Sequence, residues 1–289
     1  MDAIKTASLT KYYGKSRGII DLNLTVAQGD FFGFIGPNGA GKSTTIRTLL
    51  GLTAPSDGSA QILGMDISRQ KEEILSHVGY MPSEASFYRN MRVRDVITFS
   101  AGLRHKDCRT EAGRLCERLE LDVNKKIREL SLGNRKKVSI ICALQHMPRL
   151  CILDEPTSGL DPLMQREFYS ILEERNKEGA TIFVSSHILS EVQRYCRHAA
   201  VIREGRLLVS DSTQSLGHTD TKRVRLRGVG VKLPLELPAM KDVQTDGDSV
   251  SFLYSGSPKE LLNVLAGLNL TDVSITEPDL EEIFMHYYG

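Results

Sequence analysis

The densest chemistry in the chain lies in one short run, Gly36-Pro37-Asn38-Gly39-Ala40-Gly41-Lys42-Ser43-Thr44. It fits G-x-x-x-x-G-K-S/T, a loop that cradles phosphate groups. Its glycines allow a tight turn in which successive backbone N–H groups point inward toward an anion. A helix starting at the end of the loop adds its positive pole. Lys42 is placed to reach the β- and γ-phosphates of a nucleoside triphosphate, and Ser43 to set its hydroxyl on Mg²⁺. The expected nucleotide contacts are Gly36, Asn38, Gly39, Ala40, Gly41, Lys42, Ser43 and Thr44. A second chemical feature is the acid pair Asp154-Glu155, which ends the apolar run Leu150-Cys151-Ile152-Leu153. Two adjacent carboxylates after a strand are commonly no more than its solvated end. Beside a phosphate loop they have a task. Asp154 orders the Mg²⁺ shell, and Glu155 holds the attacking water in line with the γ-phosphate as general base.

These groups need elements to hold them. Residues 31–35 are apolar and strand-like, and residues 43–50 read as a helix, which is the context a phosphate loop requires. Residues 4–9 and 19–26 alternate as strands around a polar stretch, and a turn cluster at 54–59 leads into a short strand at 60–64. From about 93 to 147 the pattern is helical and charged, with Val93, Val96, Ile97 and Leu103 at helical offsets, then Leu115, Leu119 and Leu121. Strand character returns at 150–153 and 181–185. The helix expected between them spans 162–177, with Pro162 suited to its first turn. Strand, helix, strand at this spacing is the crossover of a parallel sheet. Val201-Ile202 and Leu207-Leu208-Val209 flank Arg203-Glu204-Gly205-Arg206, a hairpin pattern.

A polar stretch at 211–221 marks a boundary. Beyond it, alternation at 223–227 and 249–253 and helical patterns at 258–268 and 279–288 describe a small α+β appendage. Arg223, Arg225 and Arg227 share a face that could bind an anion. The favoured reading is the solvated face of an edge strand.

Lys plus Arg at 37 against Asp plus Glu at 36 leaves a net charge of +1, so no global basic field draws the chain onto nucleic acid, and none is expected as a partner. Five cysteines without a C-x-x-C pair read as thiols in a reducing compartment. No run of about 18 apolar residues exists to span a bilayer, so any membrane role works through another polypeptide.

The remaining motifs narrow the class. Leu130-Ser131-Leu132-Gly133-Asn134 stands about twenty residues before Asp154. Pro156-Thr157-Ser158-Gly159-Leu160-Asp161 follows Glu155, and Val184-Ser185-Ser186-His187 comes about thirty residues later. In this order, over residues 1–215, the motifs resemble the nucleotide-binding subunit of ABC transporters. The resemblance implies an α/β P-loop NTPase cassette: a RecA-like core with an antiparallel β subdomain and a helical subdomain at about 90–147, then a small C-terminal α+β accessory domain at 216–289.

It also implies an ATPase with ATP and Mg²⁺ as ligands, in which Lys42, Glu155 and His187 are catalytic, and Ser43 and Asp154 hold the metal. Tyr13 matches the aromatic that stacks on adenine, with Tyr12 as the fallback and a core aromatic as the other reading. Ser131 and Gly133 match positions that close over the γ-phosphate of an opposite subunit, and Asp161 lies in the loop across that seam. The implied partners are a second cassette, as a homodimer or with a paralogue, and a polytopic membrane permease. The implied location is cytoplasmic, peripheral on the inner face of the membrane.

Two departures stand out. In Gly79-Tyr80-Met81-Pro82-Ser83-Glu84, Ser83 takes the place of a glutamine that contacts Mg²⁺ in the family. Its hydroxyl is shorter, so a bridging water or Glu84 is the alternative to direct contact. The signature carries Leu132 and Asn134 for glycine and glutamine, and Arg135-Lys136-Lys137 after it reads as a phosphate contact or as a solvated helix start. The end of the chain, 277–288, resembles the tail of cassettes serving ABC-2-type exporters of drugs, peptide antibiotics, polysaccharides or ions. Its stripe Leu280, Ile283, Phe284 and Tyr287 is expected to pack on the appendage's own sheet. Phe87, Tyr88 and Met91 suit either a docking groove for the membrane partner or subdomain core. The competing classes are a soluble ABC ATPase of translation or DNA repair, a regulatory cassette with weak hydrolysis, and an importer cassette. The single phosphate loop, the short spacing from Ser43 to Ser131, the intact acid pair and the tail favour the exporter.

Overall fold

The computed structural model describes residues 1–14, 16–104, 106–217, 221–228, 237–276 and 278. They divide into two compact units, Met1–Asp211 and Ser212–Gly289. The first begins with β1 (Asp2–Tyr13), β2 (Ser16–Leu22), β3 (Thr25–Ala27), β4 (Phe31–Ile35) and α1 (Lys42–Leu49). Next come β5 (Asp57–Ile62), β6 (Met65–Asp66), α2 (Lys71–His77) and β7 (Val78–Met81). The helical stretch holds α3 (Val93–Gly102), α4 (Arg109–Arg118), a 3-10 turn at Ile127–Glu129 and α5 (Leu132–Leu144). The unit closes with β8 (Leu150–Asp154), α6 (Pro162–Lys177), β9 (Thr181–Ser186), α7 (Leu189–Tyr195), β10 (His198–Arg203) and β11 (Arg206–Ser212).

Every residue of β4, β8 and β9 is buried, the pattern of inner strands covered on both faces. The sheet order is β11-β10-β4-β9-β8-β7, and the contacts from β10 through β7 are parallel. Its register matters for the site. Asp154 of β8 and Phe34 of β4 both pair with Ser185 of β9, so the phosphate loop and the acid pair leave the sheet at one level. That carboxyl edge is where parallel sheets bind ligands. β11 adjoins β10 through Glu204-Gly205, whose φ values of 52° and 78° suit a two-residue hairpin turn.

A second, antiparallel sheet runs β2-β1-β5-β6, with β3 on β1. Ile4, Leu9, Ile19 and Leu22 from it share one core with Phe32, Phe34, Ile46 and Leu49 of β4 and α1. Each such fully buried side chain contributes about 1.5–3 kcal/mol, so α1 is seated firmly behind the loop it terminates. Among the helices, α4 is tied to α6 by Arg114 and Arg118, which pair with Glu174 and Glu167, and by Glu111, which pairs with Arg175.

The second unit holds α8 (Thr213–Gly217), β12 (Lys222–Arg227), β13 (Met240–Asp246), β14 (Ser249–Tyr254), α9 (Pro258–Ala266) and β15 (Asp272–Thr276). Its sheet is antiparallel, β13-β14-β12-β15, and Leu261 and Leu265 of α9 pack with Val224, Leu226 and Phe252. The edge-strand reading of residues 223–227 is corrected: β12 is an inner strand, because β15 returns to cover its second side. Arg223 is buried with its guanidinium 3.0 Å from Asp242, while Arg225 and Arg227 are exposed. The helix expected at 279–288 lies outside the described residues.

Candidate functional site

The phosphate loop connects β4 to α1 with close backbone approaches that exclude side chains. A Cβ on Gly36 would fall 2.4 Å from the Ile202 carbonyl, and one on Gly41, at φ 111°, would fall 2.9 Å from the Gly18 carbonyl. Gly41 caps α1 with no side-chain acceptor, and no acid lies in the helix's first turn, so its leading N–H groups keep their positive character. The Lys42 ammonium is buried and donates to the carbonyls of Gly36 (2.6 Å) and Pro37 (3.2 Å). It also lies 3.1 Å from Glu155 Oε1.

Glu155 stands just beyond β8 with φ 48°, a left-handed conformation unusual for a side-chain-bearing residue. Its N–H is held by Ser185, through the carbonyl (3.2 Å) and Oγ (3.1 Å). Its Oε2 lies 2.7 Å from His187 Nδ1, so Lys42, Glu155 and His187 form a continuous polar line. Glu155 Oε1 is buried and accepts no hydrogen bond, its Lys42 contact being ionic only. Beside it, the buried Asp154 carboxylate accepts from Ser185 Oγ at 2.6 Å.

A cleft of about 270 Å³ brings Asn38, Gly39, Lys42, Ser43 and Thr44 together with Ser83 and Glu155. His187 joins through Glu155. Ser131, Gly133, Asp161 and Tyr13 do not line the cleft. Ser131 is exposed and caps α5, its Oγ accepting from the Asn134 N–H at 3.2 Å. Gly133 packs so tightly that a Cβ there would fall 2.9 Å from the Gly159 carbonyl. Asp161 is exposed and caps α6 through the N–H groups of Leu163 and Met164, both at 3.1 Å. The core alternative for the tyrosines is overturned, since Tyr12 and Tyr13 are 44% and 45% exposed. Tyr13 carries the Lys11 ammonium over its ring at 5.3 Å. A Cβ on Gly18, a cleft residue, would fall 3.2 Å from the Tyr13 ring and 2.9 Å from the Thr44 methyl, so the ring borders the cleft.

Both readings of Lys136 are corrected: it is buried rather than solvated, and it does not line the phosphate cleft. One further residue escaped the sequence reading. Glu191 on α7 accepts from Thr157 Oγ1 (3.1 Å), Tyr169 OH (3.0 Å) and Ser186 Oγ (3.4 Å), joining the segment after Glu155 to the one before His187. No local pattern marks a helix glutamate as such a hub.

The residues present fit a magnesium nucleotide. The donors nearest the cradle are hydroxyl and carboxylate oxygens, the hard ligands Mg²⁺ prefers. Among the described residues no group of three or more His, Cys, Asp and Glu could hold a metal alone. A cation here would share phosphate oxygens.

Residues 19–158 match the family described as ABC transporter. Over 99% of this chain and 97% of the relative, the sequence is 36% identical to the bacitracin transport ATP-binding protein BcrA of Bacillus licheniformis. It is 30% identical to the Nod factor export ATP-binding protein I of a Rhizobium species (strain N33), over 99% of the chain and 97% of the relative. Among solved structures, the ATP-binding subunit of an ABC transporter is 27% identical with a TM-score of 0.71, covering 74% of this chain and 91% of that one. A bacterial ABC transporter cassette solved as a dimer shares the fold at 23% identity and a TM-score of 0.67, covering 73% and 98% of the two chains. The chain belongs to the family of ABC transporter ATP-binding proteins, whose cassettes bind ATP and hydrolyse it.

Proposed function

We propose that this chain is the ATP-hydrolysing subunit that powers a separate permease of an export system, working as one of two cassettes on the cytoplasmic face of the membrane. Residues 1–215 would form the cassette, with its helical subdomain at about 90–147, and residues 216–289 an accessory domain. The observation that carries the reading is the convergence of Lys42, Ser43 and Glu155 on one cleft at the carboxyl edge of the parallel sheet. Full-length likeness to a Nod factor export protein and to a bacitracin transport protein supports the exporter class.

Backbone N–H groups of the loop and the Lys42 ammonium would hold the β- and γ-phosphates, Lys42 exchanging its contact with Glu155 for phosphate oxygens. Ser43 and Asp154 would hold Mg²⁺, with Ser83 in reach of the same cleft. The chemistry such a cation supplies is neutralisation of phosphate charge. Glu155, released from Lys42 and oriented by its hydrogen bond to His187, would accept the proton of the attacking water. Tyr13 would offer its exposed ring to the adenine. By the resemblance of their motifs, Ser131, Gly133 and Asp161 would meet the nucleotide of a second cassette; they lie outside this chain's own cleft, which agrees with that reading.

For the permease, an apolar groove of about 440 Å³ is lined by Phe87, Tyr88, Met91, Phe99 and Leu103, of which Tyr88 is 76% exposed. Among the described residues no helix is long and apolar enough to cross a membrane. The test is turnover and recovery together. The wild type should hydrolyse ATP and co-purify from detergent extracts with a polytopic membrane protein. Lys42→Ala should lose turnover and keep the partner, and Leu103→Glu the reverse. Recovery with ribosomes would overturn the reading.

A further inference from the structure

The second turn of α5 buries a cation where a phosphate contact or a solvated helix start was expected. Lys136 is 3% exposed. Its ammonium donates to the Ser83 carbonyl (2.8 Å), the Glu155 carbonyl (2.8 Å) and Ser158 Oγ (3.4 Å). An ammonium has three donors, so this one is fully used by three oxygens on two segments, the one at Ser83 and the one from Glu155 to Ser158. A charge this deep is tolerated only with such partners. Burial pushes its pKa below the ordinary lysine range, against the opposing pull of Asp154, Glu155 and Glu84. A direct phosphate role is left to Lys42, which lines the cleft as Lys136 does not.

The choice of acceptors is informative. Glu155 sits at φ 48°, a conformation that costs on the order of 1–2 kcal/mol in a residue with a Cβ. Its preceding peptide is anchored by Ser185 and its following carbonyl by Lys136. Fixing both peptide groups fixes the direction in which the side chain leaves the backbone. The Ser83 acceptor belongs to the segment that runs on to Ser86 and Phe87 of the apolar groove. Packing alone asks for none of this, since a methionine would fill similar space without needing three oxygens.

We propose that Lys136 is a positioning residue for ATP hydrolysis, its ammonium clamping the Glu155 carbonyl and Ser158 of one segment to the Ser83 carbonyl of another so that the Glu155 carboxylate faces the phosphate cleft. The inference rests on the reading of Glu155 as general base. It makes the aim of that base depend on where the Ser83 segment stands.

The test measures ATP affinity and single-turnover hydrolysis for the full chain carrying Lys136→Met or Lys136→Arg, each alone and combined with Glu155→Gln. Lys136→Met should keep ATP affinity within about twofold, because the phosphate loop is untouched, and lower the hydrolysis rate at least tenfold, about 1.4 kcal/mol. Lys136→Arg should recover part of the rate, since a guanidinium also donates to carbonyls. In the Glu155→Gln background, Lys136→Met should change the residual rate less than about twofold, because both changes remove one contribution. An unchanged rate, a loss confined to ATP affinity, or a full tenfold loss persisting without Glu155 would overturn the proposal. So would failure of both single variants to fold by circular dichroism, which would assign Lys136 to the fold. A Glu155→Gln variant at the wild-type rate defeats the base assignment instead, whatever Lys136 does.

Discussion

Glu155→Gln removes one charge from the middle of the Lys42–Glu155–His187 line and should move two measurable quantities in opposite directions. Loss of a general base lowers the hydrolysis rate by about 10²–10⁴-fold, or roughly 3–5 kcal/mol of activation free energy. ATP binding should tighten. In the structure Glu155 Oε1 is 3.1 Å from Lys42 Nζ, and nucleotide must win that ammonium for its phosphates. The carboxylate is 17% exposed, so the pair is neither a surface contact nor fully desolvated. Weakening it by about 1 kcal/mol, the upper end for partly solvated pairs, corresponds to roughly fivefold in Kd. The amide keeps a hydrogen bond to His187, so the loop geometry should survive. Isothermal titration with ATP, single-turnover hydrolysis and size-exclusion chromatography in ATP read the three consequences: tighter binding, a stalled reaction and an accumulated dimer. A hydrolysis rate within twofold of the wild type, or ATP affinity lowered tenfold, would refute the assignment of Glu155 and the competition for Lys42.

Two further outcomes follow from geometry. Gly133→Ala places a Cβ 2.9 Å from the Gly159 carbonyl, so the variant should lose about 1–3 kcal/mol to overpacking, read as a lower urea midpoint together with reduced turnover; an unchanged midpoint would show that the contact yields freely. His146, buried with Nε2 3.2 Å from the Val78 carbonyl, has its pKa lowered to about 4 by burial, with Arg104 acting the same way. Above an unfolded-state pKa of about 6.5 both states are neutral and stability is complete. As pH falls toward 4 the unfolded chain takes the proton first, and on the order of 3 kcal/mol is lost. Urea unfolding at pH 7 and pH 4.5 should show a smaller loss for His146→Leu than for the wild type, and equal losses would remove His146 from the account.

What was legible in the sequence depended on how local its cause was. The strand at β4 and the helix α6 have the bounds their apolar runs and caps suggest, because Asp161 and Pro162 define a helix start within two residues. The hairpin at Glu204-Gly205 is equally local. Lys136 was opaque because its acceptors lie on the Ser83 and Glu155 loops, remote in sequence, and a lysine near the start of a helix ordinarily faces water. The position of β12 was opaque for the same reason, since its second neighbour, β15, comes from residues 272–276. For Tyr13 only the core alternative fails, because β1 extends past the core and its last residues are exposed.

The segment from Glu155 to Asp161 shows how such long-range contacts converge on one stretch of chain. Its first residues are pinned from three sides: Ser185 holds the Glu155 N–H, Lys136 holds the Glu155 carbonyl and Ser158, and Glu191 holds Thr157. Two residues further, Gly159 turns at φ 82° and the chain emerges on the surface, where Asp161 caps α6. The first residues are therefore held by bonds within one cassette, and under the proposed two-cassette arrangement the other end would be the one to meet the second cassette. A displacement of Gly159 would be felt at Leu132, which a Cβ on Gly159 would meet at 3.2 Å, at Gly133, whose own Cβ would fall 2.9 Å from the Gly159 carbonyl, and at Ser158, one residue back on the Lys136 clamp. Under that proposal these seven residues would reach from one half-site to the other. Because Lys136 and Glu191 each restrain the same segment, weakening either should loosen the alignment of Glu155 without touching a phosphate contact.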